Sequence, residues 1–206
     1  DKISHDFLRQ NTPICHTNVL DQWLKAGVWY KGNLEPTREG TPQGGVISPR
    51  LCNVALNGME DAVILKVLEH TQSQSRPKRW KNKVRVVRYA DDVVVTAATD
   101  ERLVVARAAL DNFLKERGLQ RKEKKTRMLH IREGFEFLGF KLIRKSKMSH
   151  LNSGGHGDVI LISPTSQAIE KVKKEIKGFV RPNYDLDVIA KKLNPILRGW
   201  VNYYAI

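Results

Sequence analysis

The sequence predicts an α+β fold, and three observations predict it. Short apolar and β-branched runs at residues 28–30, 84–89, 93–96, 135–143 and 159–162 alternate with stretches of helical period. Hydrophobic residues make up 41% of the 206, enough to build a core in one large domain or two small ones, so disorder is not the starting point. From Pro164 onward the period is helical alone, which divides a mixed part, residues 1–163, from a helical module, residues 164–206.

A first helix is weakly marked over residues 19–25, and Gly32-Asn33 is suited to turn a hairpin after the 28–30 run. Ser48-Pro49 is a cap and first-turn pair. Leu51, Val54, Ala55, Gly58, Ala62 and Leu65 follow it at three- and four-residue steps, predicting one long amphipathic helix. The next helix is expected to start at an Asp100 cap, to bury Leu103, Ala106, Leu110, Phe113 and Leu114, and to end at Gly118. In the helical module Ile169, Val172, Ile176 and Phe179 form one stripe. Leu186, Ile189, Leu193, Leu197 and Trp200 form a second, which Pro195 should kink or divide because it has no amide to donate. Residues 70–83 and 144–158 are polar, basic and aperiodic, and read as exposed loops.

Thirty-six Lys and Arg against 22 Asp and Glu leave a net charge of +14, a surplus that points to a polyanionic partner, nucleic acid first. No apolar run reaches the roughly 18–20 residues that a membrane-spanning helix needs, so the expected setting is cytoplasmic, with no membrane. Cys15 and Cys52 stand in no CxxC or Cys/His array, which argues against a disulfide scaffold or a zinc module.

The sharpest chemical feature is Arg88-Tyr89-Ala90-Asp91-Asp92-Val93, two carboxylates between apolar strand-like runs. Asp favours hairpin turns on its own account, so a plain turn is one reading. The other is a carboxylate pair at a hairpin tip, holding Mg²⁺ for phosphoryl transfer. The second feature is Gly40-Thr41-Pro42-Gln43-Gly44-Gly45, a glycine-rich turn feeding the Ser48-Pro49 helix, which lets backbone approach a flat or phosphorylated ligand.

Taken together, GTPQGGVISP and VRYADDVVV about 45 residues later resemble the nucleotide-contacting motif and the metal-binding hairpin of one family. That family is the reverse transcriptases of bacterial group II introns with their CRISPR-associated relatives. Gly118-Leu119 through Lys125-Thr126, Phe135-Glu136-Phe137-Leu138-Gly139-Phe140 and Leu193-Asn194-Pro195-Ile196-Leu197-Arg198-Gly199-Trp200-Val201-Asn202-Tyr203-Tyr204 continue the resemblance in order. The last of these is similar to the thumb, or maturase domain X.

The resemblance implies a reverse-transcriptase palm, an antiparallel sheet with packed helices, over residues 1–163, and an α-helical thumb over 164–206. It implies an RNA-directed DNA polymerase whose Asp91, with Asp92 as its less direct companion, binds at a two-Mg²⁺ site completed by a further Asp, and whose Lys125 lies near the triphosphate as a general acid. Pro42, Gln43, Gly44 and Gly45 would pack on the incoming deoxynucleoside triphosphate. Tyr89 and Ala90 would lie beside the primer end, and Leu138 and Gly139 would hold the primer strand. The partners implied are an RNA template, a DNA primer and group II intron RNA. On the helical module Lys171, Lys174, Lys177, Arg181, Lys191 and Arg198 are placed to track phosphates, whereas Trp200, Tyr203 and Tyr204 are assigned to packing.

Arg121 and Lys124 depart from the family pattern, which prefers an apolar and an acidic residue there. A further metal-binding Asp is expected six residues before Asp1, on an upstream strand. The chain is therefore expected to be inactive alone and to pair with its upstream half or with itself. Two other roles fit the same residues: an RNA-binding maturase module that assists splicing, and a CRISPR-associated enzyme for spacer acquisition.

Overall fold

The computed structural model describes residues 3–13, 17–30, 33–35, 40, 45–72, 84–146, 158–179 and 185–205. They form two compact units, Asp1–Arg127 and Met128–Ile206. No helix among the described residues is long and apolar enough to cross a membrane.

The first unit begins with a helix that the apolar pattern did not reveal, α1 (His5–Asn11). The Ser4 hydroxyl accepts the Phe7 N–H at 3.3 Å and so caps its start. Helix α2 (Thr17–Lys25) covers the expected 19–25 and begins two residues earlier. Arg9 ties it to α1 by an ion pair with Asp21. That hydrogen bond, working against burial, holds the Asp21 carboxyl below its ordinary value. Strands β1 (Val28–Tyr30) and β2 (Asn33–Glu35) pair antiparallel with Tyr30 opposite Asn33. Asn33 therefore belongs to the strand and not to the turn, a correction to the Gly32-Asn33 expectation.

The single long helix expected after Gly45 is two, α3 (Ser48–Leu56) and α4 (Met59–Gln72). Asn57 is extended and Gly58 has φ +80°, a left-handed backbone that ends a helix and that glycine adopts without a Cβ penalty. Ser48 is not the cap either: Ile47 holds that position, and Ser48 and Pro49 fill the first turn. Strands β3 (Arg85–Tyr89) and β4 (Asp92–Thr96) form an antiparallel hairpin. Helix α5 (Asp100–Lys115) follows with Thr99, not Asp100, at the cap position. It stops as expected at Gly118, where the Gly118 N–H donates to Lys115 O at 3.1 Å and the Leu119 N–H to Leu114 O at 2.8 Å.

Two apolar clusters hold this unit. Ile3, Leu8, Leu20, Leu24, Leu51 and Ala55 join α1, α2 and α3. Leu56, Met59, Val63, Val67, Val84, Ala106 and Phe113 pack α4 and α5 against the inner face of the β3–β4 hairpin. Burying each of these larger side chains contributes about 1.5–3 kcal/mol, so the hairpin is anchored on one face and left open on the other.

The second unit is a three-stranded antiparallel sheet with two helices. The apolar run at 135–143 is two strands and not one, β5 (Phe135–Phe137) and β6 (Phe140–Ser146), turned at Leu138-Gly139. Strand β7 (Asp158–Pro164) pairs with the whole of β6, and so Arg144–Ser146 and Asp158, expected in a loop, lie in strands. Helix α6 (Ser166–Phe179) buries Val172, and α7 (Leu186–Tyr204) runs unbroken for 19 residues with Pro195 inside it, so that proline does not divide the helix. Of the other expected loop, 70–72 end α4 and 73–83 lie outside the described residues.

Candidate active site

Alternation along β3 turns Val86 and Arg88 toward the protein and Val87 and Tyr89 toward solvent. A guanidinium on the inner face needs partners, and Arg88 has them. Its Nε donates to Glu60 Oε1 on α4 at 2.9 Å, and its Nη1 to Asn53 Oδ1 on α3 at 3.2 Å. Nη1 also makes a long hydrogen bond, 3.4 Å, to the Ala90 carbonyl in the hairpin turn. Burial raises the Glu60 carboxyl, but a backbone hydrogen bond and the Arg88 guanidinium outweigh it and hold it below the ordinary value.

Tyr89 pairs with Asp92, so only Ala90 and Asp91 connect the strands, and Ala90 has φ 53°. A non-glycine residue there costs on the order of 1 kcal/mol, a strain that persists where neighbours impose it. Arg88, bonded to both helices, also reaches that turn through its long hydrogen bond to the Ala90 carbonyl.

Asp91 and Asp92 are both exposed at this tip, and no ion pair engages either of them among the described residues. The nearest cation of the hairpin, Arg88, is already committed to Glu60. The carboxylate of Asp91 is felt on α3: burial first, then Asp91, pushes the Cys52 thiol up. Two adjacent, exposed hard oxygen donors could hold Mg²⁺, which takes one or two carboxylates and keeps water for the rest of its shell. No group of three or more His, Cys, Asp or Glu gathers among the described residues.

The glycine-rich turn is described at its two ends; Pro42, Gln43 and Gly44 lie outside the described residues. Gly40, at φ +79°, donates its N–H to Ile3 O at 3.0 Å, and its carbonyl meets His5 Nε2 at 2.7 Å. Gly45 leads straight into α3, its carbonyl accepting the Ser48 N–H at 3.1 Å. The structure thus brings the helix fed by the glycine turn and the carboxylate hairpin together, through Asn53 and Arg88. Lys125 closes a short 3-10 turn, Glu123–Lys125. That turn is tied to α5 by Arg107–Glu123 at 3.6 Å, and Arg121 pairs there with Asp111 at 2.9 Å. The Lys125 ammonium is exposed, and no hydrogen bond or ion pair joins it to Asp91 or Asp92 among the described residues.

In the second unit Leu138 and Gly139 are the two central residues of the β5–β6 turn. Lys171, Lys174 and Lys177 on α6 and Lys191 and Arg198 on α7 are exposed; Arg181 lies outside the described residues.

Sequence reasoning missed Arg88, Glu60 and Asn53. A signal for Arg88 was present, since it continues the inward register of Val84 and Val86, where an unpaired charge is costly. Nothing near it in the chain announces Glu60. A cleft of about 520 Å³ between α1 and α3, lined by Phe7, Asn11, Arg50, Asn53, Asn57 and Arg117 among others, contains neither aspartate. The chemistry of the hairpin tip identifies the site better than the depth of that cleft.

A hairpin tip with two exposed carboxylates could hold a divalent cation, as proteins that act on phosphates with such an ion do. The particular family follows from comparison with known proteins. Residues 1–142 match the family described as reverse transcriptase (RNA-dependent DNA polymerase), and the chain belongs to that family. Residues 169–206 match the group II intron, maturase-specific domain, which makes this a group II-like reverse transcriptase/maturase chain. It is 33% identical over 149 residues to Protein YkfC of Escherichia coli (strain K12), covering 62% of this chain and 38% of that protein. It is 25% identical to the group II intron-encoded protein LtrA of Lactococcus lactis subsp. cremoris over an alignment of 261 positions. That alignment covers 92% of this chain and 43% of that protein. The chain thus spans about two fifths of the length of these relatives.

Proposed function

We propose that this chain is the palm and thumb part of an RNA-directed DNA polymerase that extends a DNA primer on an RNA template. The observation that carries this reading is the pair of adjacent, exposed carboxylates on a turn that Arg88 fastens to the glycine-fed helix. Asp91, with Asp92 beside it, would hold Mg²⁺ together with a further carboxylate. When bound, the ions lower the pKa of the attacking primer hydroxyl and offset charge on the leaving oxygens.

The chain's own residues orient the reactants. Pro42, Gln43, Gly44 and Gly45 pack on the incoming nucleotide at the start of α3, while Tyr89 and Ala90 flank the primer end. Lys125, exposed and free of competing ion pairs among the described residues, donates a proton to the pyrophosphate leaving group. Leu138 and Gly139 hold the primer strand, and Lys171, Lys174, Lys177, Arg181, Lys191 and Arg198 follow the phosphates of the duplex. The reaction belongs in the cytoplasm, where template RNA and deoxynucleoside triphosphates meet.

The test is primer extension by this chain combined with the segment that carries the further carboxylate. Asp91→Asn is expected to abolish extension and to leave RNA binding within about twofold, because a neutral amide is a poor Mg²⁺ ligand while the basic helices are untouched. Extension that survives the change sinks the assignment. The match of residues 169–206 to a maturase-specific domain favours a second role in holding intron RNA. Splicing that persists in Asp91→Asn while extension is lost separates the two roles.

A further inference from the structure

The β5–β6 turn is held from two sides by the helices that follow it. Leu138 and Gly139 both have positive φ, 51° and 80°, the pair of left-handed residues that a two-residue hairpin turn needs and that leucine resists. On one side the Tyr203 hydroxyl, from α7, donates to the Leu138 carbonyl at 2.8 Å. On the other, the N–H of buried Thr165 donates to the Gly139 carbonyl at 2.9 Å. The Thr165 hydroxyl meanwhile caps α6 by accepting the Ala168 N–H at 3.2 Å. The fit is close: a Cβ at position 139 would lie 2.6 Å from the Tyr204 hydroxyl. Phe140, Trp200, Tyr203 and Tyr204 complete the contact, with ring centroids 4.7 to 5.3 Å apart.

We infer that Tyr203, with Tyr204 and Thr165, is a positioning residue for the primer strand. The ends of both helices fix the carbonyls of Leu138 and Gly139, so the turn and the helices move as one body when the duplex advances. The aromatic residues at the end of α7 serve the strand through the backbone they hold and not by stacking on bases. This rests on the reading of Leu138-Gly139 as the turn that holds the primer.

Two measurements on this chain test it together: hydrogen exchange at the Thr165 amide, and affinity for an RNA–DNA duplex with a recessed primer 3′ end relative to a blunt duplex. Tyr203→Phe removes one hydrogen bond and is expected to speed exchange on the order of fivefold and to cut the recessed-end preference by a similar factor. Gly139→Ala is expected to do more, and adding Tyr204→Phe, which deletes the hydroxyl that the new Cβ strikes, to restore part of both. Unchanged exchange in Tyr203→Phe overturns the clamp. Faster exchange with an unchanged preference overturns the positioning role. If Leu138→Glu also leaves the preference unchanged, the primer-holding reading is what has failed.

Discussion

Arg88 is the residue on which the carboxylate hairpin turns. Its side chain is 14% exposed, and its guanidinium meets a carboxylate, an amide oxygen and a turn carbonyl at once. A lysine ammonium, a point charge without the planar fork, cannot reproduce that set. Arg88→Met is expected to destabilise the first unit by about 2 kcal/mol, short of the roughly 3–5 kcal/mol of a fully buried pair because Glu60 keeps some solvent. Arg88→Lys should recover less than half of that loss in urea unfolding. The pH dependence has a defined sign. The Glu60 carboxyl is lowered in the folded protein, so its contribution is present above the ordinary carboxylate range and is lost as pH falls through the lowered value. The stability gap between the wild type and Glu60→Gln should therefore be full at neutral pH and close as pH falls through and below the ordinary carboxylate range. A gap that widens on acidification would contradict the pairing. The exposed position of Asp91 and Asp92 at a hairpin tip was legible in the sequence, because two acids between apolar runs suit a turn. Arg88 was marked by its inward register, but its pairing was not legible, because its partner Glu60 is 28 residues away.

Among the elements, the break between α3 and α4 shows what periodicity conveys and what it hides. Leu56, Met59, Val63 and Val67 share one buried cluster, so the apolar face continues across the break although the backbone does not. A stripe records which face is buried, whereas the left-handed Gly58 between the helices leaves no trace in it. A Cβ at Gly58 would meet nothing within 4 Å, so the cost of substitution there is the backbone's alone. Gly58→Ala is expected to cost about 1 kcal/mol and to lower Tm by roughly 2–4 °C, while Gly58→Asn, which tolerates this conformation, should cost less. Equal, large losses for both would point to a packing role that the structure does not contain. The end of α5 was legible because its glycine sits at the close of the stripe and not within it. The β5–β6 turn was not, since its conformation depends on Tyr203, 65 residues later.

At the scale of the whole molecule, the change of period at Pro164 was enough to indicate a helical end, and the net charge of +14 pointed to a polyanionic partner. Period and contact divide the chain differently: the compact units meet between Arg127 and Met128, because the β5–β7 sheet packs with the helices that follow it. If the six basic residues assigned to α6, α7 and their connection each neutralise one phosphate, log K for RNA–DNA duplex binding should fall against log salt with a slope of about −5, and each change to alanine should flatten it by about 0.9. A slope that Lys171→Ala, Lys174→Ala and Lys177→Ala together leave unaltered would remove α6 from the interface. The central claim, that the Asp91-Asp92 tip holds the catalytic cation, is tested most directly by placing Fe²⁺ in the Mg²⁺ site. With primer, template and deoxynucleoside triphosphate present, locally generated hydroxyl radicals then cut the protein backbone near the ion. Cleavage at residues 90–92, suppressed by excess Mg²⁺ and lost in Asp91→Asn, is the predicted result; cleavage confined to other segments, or unaffected by Asp91→Asn, would contradict it.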